Sequence, residues 1–112
     1  MRLENLMKHH GREMSLSLPD GWQSNTFYGF IQPLRYKNKM YLSGVNTQIG
    51  YNSEGYYLYI GPPEHDLTTI GEDARLSAGG VDYQIDRAEK VYRGGKVFYI
   101  WAVVRTVVEE QT

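Results

Sequence analysis

Two Gly-Gly pairs, Gly79-Gly80 and Gly94-Gly95, each stand between segments that read as strands. Both central residues of the tightest β-hairpin turn need positive φ, which glycine adopts without steric cost. After the first pair, Val81, Tyr83 and Ile85 alternate with Asp82, Gln84 and Asp86. That period of two predicts a strand with one dry and one wet face. After the second pair, residues 97–104 form an apolar run of eight. A strand apolar on both faces lies at the centre of a sheet or against a partner. Phosphate cradles are the other use of glycine pairs, but strands flanking both sides favour hairpins.

The rest of the chain carries the same signature. Met14, Leu16 and Leu18 alternate with serines. A Pro19-Asp20-Gly21 turn follows, and residues 26–32 form an aromatic strand that Pro33 ends or marks as an edge. Residues 56–60 are a further strand, stopped by Gly61-Pro62-Pro63. Residues 64–73 are polar, with one helical turn expected at an Asp66 cap. Val91 and Tyr92 are adjacent apolar residues, so the alternation slips; a bulge near Ala88 is expected. Leu3, Leu6 and Met7 share a helical face that Gly11 would end, so residues 1–12 are a short helix or arm. Residues 36–55 mix Asn and Gly with Tyr41, Leu42, Val45, Ile49 and Tyr51, a long flexible loop of the kind that is often functional.

The fold class is therefore mainly β: a small antiparallel β-barrel or sandwich of six to seven strands, with a short N-terminal helix and a long central loop. Closure solves the edge problem for such a set. The 112 residues suit a single domain spanning 1–112. A chain of this size buries roughly two thirds of its unfolded surface, enough for one core.

Composition narrows the function. Cysteine is absent, which excludes disulfides and thiolate metal sites and favours a reducing compartment. Net charge is −1, with no global case for nucleic acid or an anionic membrane. The apolar run is far short of the ~20 residues of a membrane-spanning helix. The start of the chain is too polar for a signal peptide, so a soluble, non-secreted protein with no membrane partner is expected.

No catalytic or cofactor motif stands out. GxSxG, GxGxxG and GxxxxGK[ST] are absent. His9 and His10 are adjacent and His65 stands apart, without the spacing of metal ligands. Glu64, Asp66, Glu72 and Asp73 read as a solvated acidic stretch rather than an acid–base pair. The expectation is no enzyme, no metal and no cofactor. Arg87, Lys90, Arg93 and Lys96 surround the last hairpin, as gatekeeping charge or as a prong for an acidic partner or DNA backbone. The tip residues Arg93, Gly94, Gly95 and Lys96 are candidate contacts. The aromatics Phe27, Tyr28, Phe30, Tyr56, Tyr57 and Tyr59 suit core packing, a protein interface or, less directly, base stacking.

The order of these pieces carries a resemblance. Phe27-Tyr28-Gly29-Phe30-Ile31-Gln32-Pro33-Leu34 is followed by Tyr57-Leu58-Tyr59-Ile60-Gly61-Pro62-Pro63 and Gly79-Gly80-Val81-Asp82-Tyr83-Gln84-Ile85. Arg87-Ala88-Glu89 and Trp101-Ala102-Val103-Val104 complete the series. Between residues 27 and 104 the chain resembles small head–tail joining proteins of tailed phages and prophages of Gram-positive bacteria, including head-completion and stopper types. The resemblance implies a barrel-like, non-enzymatic virion structural protein that forms a homo-oligomeric ring between portal or adaptor and tail proteins. It implies host cytoplasm during assembly and the virion junction afterwards. It also implies a loop facing a DNA channel; here that is 36–55, with Lys37, Lys39, Tyr41 and Tyr51 as candidate contacts and only transient touch with DNA. A tail-completion or minor tail protein is the neighbouring alternative. A small barrel binding single-stranded nucleic acid is a more distant one.

Overall fold

The structure, a computed structural model, describes residues 2–34, 55–71 and 73–107. Helix α1 (Leu3–His10) is followed by β1 (Arg12–Ser17), β2 (Phe27–Pro33), β3 (Tyr56–Gly61), β4 (Arg75–Ala78), β5 (Val81–Arg93) and β6 (Lys96–Thr106). The six described strands form a closed antiparallel barrel in the order β1-β2-β3-β6-β5-β4. β4 closes it by pairing with β1, from Met14 opposite Ala78 to Ser17 opposite Arg75. Closure removes the free edges of the barrel body, while the outer part of the β5–β6 hairpin, beyond Gln84 and before Ile100, pairs only with itself.

Helix α1 has no side-chain cap at Arg2, but Glu4 in its first turn and Lys8 and His9 in its last complement the helix dipole. So short a helix persists by docking. Met7 is buried, Leu3 and Leu6 are half-buried, and the helix packs along β2. Gly11 ends it, donating its N–H to the Met7 carbonyl at 2.8 Å.

The period of two sends alternate side chains inward. Met14, Leu16, Phe27, Tyr59, Leu76, Ala78, Tyr83, Ile100, Ala102 and Val104 fill the interior, and Leu67 plugs it from the β3–β4 connection. The rings of Tyr57 and Tyr83 meet edge to face at 5.1 Å. A second, smaller cluster lies on the outer wall, where Val103 packs with Leu34 and Tyr56, flanked by Leu58 and Trp101. From Ile100 to Val104 strand β6 is thus buried on both faces, between β3 and β5, whereas Phe98 nearer the hairpin tip is exposed. Its two-sided apolar pattern reflects a central position.

Two register shifts interrupt the long β5–β6 hairpin. In the first, Ile85 pairs with Val104 and Arg87 with Val103, which leaves Asp86 as the extra residue. The bulge is therefore at Asp86, two positions before the expected Ala88. Asp86 is half-buried beside Arg105, at 3.6 Å, and accepts a hydrogen bond from Gln84 at 3.3 Å. Burial raises its pKa and the Arg105 charge opposes that rise. In the second shift, Val91 pairs with Tyr99 and Tyr92 with Val97, leaving Phe98 as the extra residue.

One further expectation changes. The connection after Pro63 holds turns rather than a helical turn: the Asp66 carboxylate accepts from both the backbone N–H and the hydroxyl of Thr68, closing an Asx turn. Pro33 ends β2 as expected, as its last residue opposite Tyr57. The loop 36–55, apart from Gly55, lies outside the described residues.

The antiparallel order sorts the connections into two ends. The turn after β1, the segment after β3 and the Gly94-Gly95 turn share one end with the start of α1. The Gly79-Gly80 turn shares the other with Leu34, Gly55 and Val107.

Candidate functional site

The hairpin tip is built as its glycines dictate. Arg93 pairs with Lys96, and Gly94 and Gly95 adopt φ of 61° and 85° between them. Both values lie where side chains are strained, and they fit a type I′ turn. Of the four basic residues near this hairpin, two are engaged lower down. Arg87 pairs with Glu89 at 2.9 Å and lies over the Trp101 ring. Lys90 pairs with Asp66 at 3.3 Å. Both pairs are solvated, so neither contributes more than a fraction of a kcal/mol. Arg93 and Lys96 remain at the tip. The Arg93 guanidinium sits 5.2 Å from the centre of the Phe98 ring, and Tyr92 beside it is 61% exposed.

The bulge at Phe98 has a local consequence. Phe98 borders a groove that also meets Leu3 and Met7 of α1, Tyr28 of β2, and Pro62 and Pro63. The groove measures about 1000 Å³. Its walls are largely apolar and aromatic. Arg2, Lys8 and Arg93 border it against Glu4 and Glu64, an excess of one positive charge.

One wall is His65. Its imidazole stacks on Phe27 with centroids 4.0 Å apart. Its Nδ1 is buried and meets no hydrogen-bond partner among the described residues. Desolvation lowers the His65 pKa, and Glu64 partly offsets this. Burial thereby favours the neutral form of the ring. His65 also borders a second cleft on its other side, with Trp22, Ser24, Asp66 and Ile70.

Trp22 is held out at that cleft by a well-tied turn. Leu18 donates its N–H to the Trp22 carbonyl at 2.9 Å, and Gly21 donates to the Leu18 carbonyl at 3.1 Å. The Asp20 carboxylate accepts from the Trp22 N–H at 2.9 Å. Ser24 exchanges bonds with Leu16 through both its backbone and its hydroxyl oxygen. The backbone is fixed while the indole stays 47% exposed.

The structure brings Arg93, Gly94, Gly95 and Lys96 together at this end. Lys37, Lys39, Tyr41 and Tyr51 lie outside the described residues. Among the described residues no group of three His, Asp or Glu side chains is arranged to hold a metal ion, and no helix is long and apolar enough to cross a membrane. Asp66 is engaged by Thr68 and Lys90; desolvation raises its pKa, but these bonds outweigh that and hold it low. Ser77 donates to Asp82 at 2.6 Å beside the Gly79-Gly80 turn, at the end away from His65. Exposed aromatic faces, a guanidinium and a concave apolar wall are the materials of protein contact surfaces.

Fold and site define a small closed antiparallel β-barrel with an apolar, basic-rimmed groove at one end. No family model, no curated protein and no solved structure matches the chain.

Proposed function

We propose that the chain is a non-enzymatic structural subunit of the head–tail interface of a tailed phage or prophage. In this reading it is a connector or head-completion protein that joins portal or adaptor to tail as a homo-oligomeric ring. It would act in the host cytoplasm during assembly and then reside at the virion junction. The order of motifs between residues 27 and 104 supports the reading.

The observation that carries it furthest is the closed barrel. Every described strand finds both neighbours within the chain over part of its length, and exposed aromatics with a basic partner gather at one end: Tyr92, Phe98 and Tyr28 with Arg93. Such a surface suits a subunit completed by its neighbours. The reading does not depend on the loop 36–55.

Immunogold electron microscopy of particles from producing cells tests it. Label confined to the head–tail junction is the expected result. Label along tails with none at the junction would transfer the protein to a tail-completion role. Particles without label would reject a virion role altogether.

A further inference from the structure

The groove and the Trp22 turn lie at the same end of the barrel, on opposite sides of His65. One is concave and the other is a tied turn with an exposed indole. The turn also carries acidic charge: Asp20 lies two residues before Trp22 and is exposed. The groove carries the opposite excess, through Arg2, Lys8 and Arg93 against Glu4 and Glu64. Trp22 borders the second cleft and not the groove of its own chain.

We propose that the occupant of the groove is the Trp22 turn of a second copy of this chain. The indole would enter between Tyr28 and Phe98, with Asp20 facing Arg93. Aromatic pairs favour offset or edge contacts, each contributing beyond plain burial. Arg93 is already aligned over Phe98 and needs little further ordering to meet an aromatic neighbour. At about 1000 Å³ the groove is at the upper end of the range for binding pockets, roughly 300–1,000 Å³. It has room for an indole and the adjoining Pro19.

The contact is heterologous, since different patches meet. Each copy keeps a free turn at one side and a free groove at the other, so repetition gives a ring when the rotation closes. One turn entering one groove buries less than the ~1,200 Å² of a standard interface. Association of the free chain is therefore concentration-dependent. The assembled state rests on the ring reading above; the docking contact does not.

Sedimentation velocity over a concentration series, with 19F NMR of the chain labelled with 5-fluorotryptophan, tests the contact. The chain has two tryptophans, Trp22 and Trp101. The wild-type mass should rise with concentration, and the Trp22 resonance should shift in parallel while that of Trp101 holds. Trp22→Ala and the groove variant Arg93→Glu should each weaken association at least about tenfold, with circular dichroism confirming that both fold. Mixed in equal amounts, they should form pairs and stop there, because only one productive turn–groove combination remains. A mass independent of concentration into the millimolar range, or an unmoved Trp22 resonance, would overturn the proposal. So would a thymidine oligonucleotide that shifts the wild-type spectrum while no self-association occurs, since the groove would then serve nucleic acid. Junction-labelled particles with a monomeric chain reject the docking alone. A self-associating chain absent from particles rejects the virion role alone.

Discussion

The imidazole of His65 lies nearly flat against the phenyl ring of Phe27, with centroids 4.0 Å apart and planes inclined by 20°. Both rings line the groove, and His65 also borders the Trp22 cleft, as a partition between the two. Its buried Nδ1 ties the partition to pH.

The sign follows from linkage. The folded pKa of His65 is lowered from its ordinary value of 6.5 by desolvation, with Glu64 in partial opposition. The unfolded chain therefore binds more protons in the window just below that value, and stability rises with pH there. The contribution is complete above about pH 6.5 and is lost as pH falls towards the lower folded pKa. His65→Phe keeps the stack and cannot take a proton. Urea midpoints followed from pH 7.5 to 5 should decline for the wild type and flatten for the variant across this window. Parallel curves would show that His65 is not the titrating group. Asp66 acts lower: its stabilising contribution is present above about pH 3.8 and declines as pH falls through its lowered folded pKa.

Tyr59 and Gly61 are coupled through the outer edge of one ring. The Tyr59 hydroxyl is buried without a hydrogen-bond partner among the described residues, and burial raises its pKa strongly. A Cβ at residue 61 would collide with that hydroxyl and with the ring carbons Cζ and Cε1. Gly61→Ala should destabilise by about 1–3 kcal/mol. Tyr59→Phe should be close to neutral or stabilising, because it removes an unsatisfied group. In a double-mutant cycle by urea denaturation, Tyr59→Phe should recover only part of the Gly61→Ala loss, because the ring carbons Cζ and Cε1 stay in the way. Full recovery would mean that the hydroxyl is the whole obstacle.

Val103 faces away from the barrel interior yet is wholly buried, against Leu34 and Tyr56. Val103→Ala should cost about 2 kcal/mol, the value of two buried methylene equivalents plus a small cavity. Lys96, an exposed residue of the same strand, should tolerate Lys96→Ala within about 0.5 kcal/mol. Comparable values for the two positions, from chemical denaturation, would contradict an outer core.

The tip of the hairpin separates its two glycines from other residues by backbone strain. Gly95→Ala should cost about 1 kcal/mol or more, because a side chain at φ 85° is strained. Gly94→Asn should cost less, since Asn-Gly is a favoured type I′ pair. Thermal midpoints should rank wild type, Gly94→Asn and Gly95→Ala in descending order, and equal midpoints for the two variants would argue against this turn.

Much of this architecture is legible in local pattern, and its limits are physical. Gly79-Gly80 and Gly94-Gly95 disclose hairpins because a two-residue turn is a local event. Residues 97–104 disclose a two-sided strand because burial on each face is written in alternate positions. The break in β5 is visible as lost alternation, but the extra residue is Asp86, whose distant partner Arg105 meets it from across the hairpin. The β1–β4 closure is not written locally, since Met14 and Ala78 meet across most of the chain. The groove is hidden for the same reason: Leu3, Tyr28, Pro62 and Phe98 come from four separate elements. Trp22 has one local signal that sequence reading passed over, an aromatic directly after an Asp-Gly turn.

The seam between β1 and β4 also bears on how the molecule forms. β5 and β6 are joined by two residues and zip locally, whereas the seam must wait for its distant halves to be brought together. Local pairing precedes such long-range closure on entropic grounds. Until the seam shuts, β1 and β4 each carry an unpaired edge, and chains released together can cross-pair there. Pulse-labelled hydrogen exchange should protect the amides of Val97 to Val104 before those of Met14 to Ser17. A seam that is shut at equilibrium is therefore one that passes through open edges to be made, and the yield should fall with the concentration at which the chain refolds.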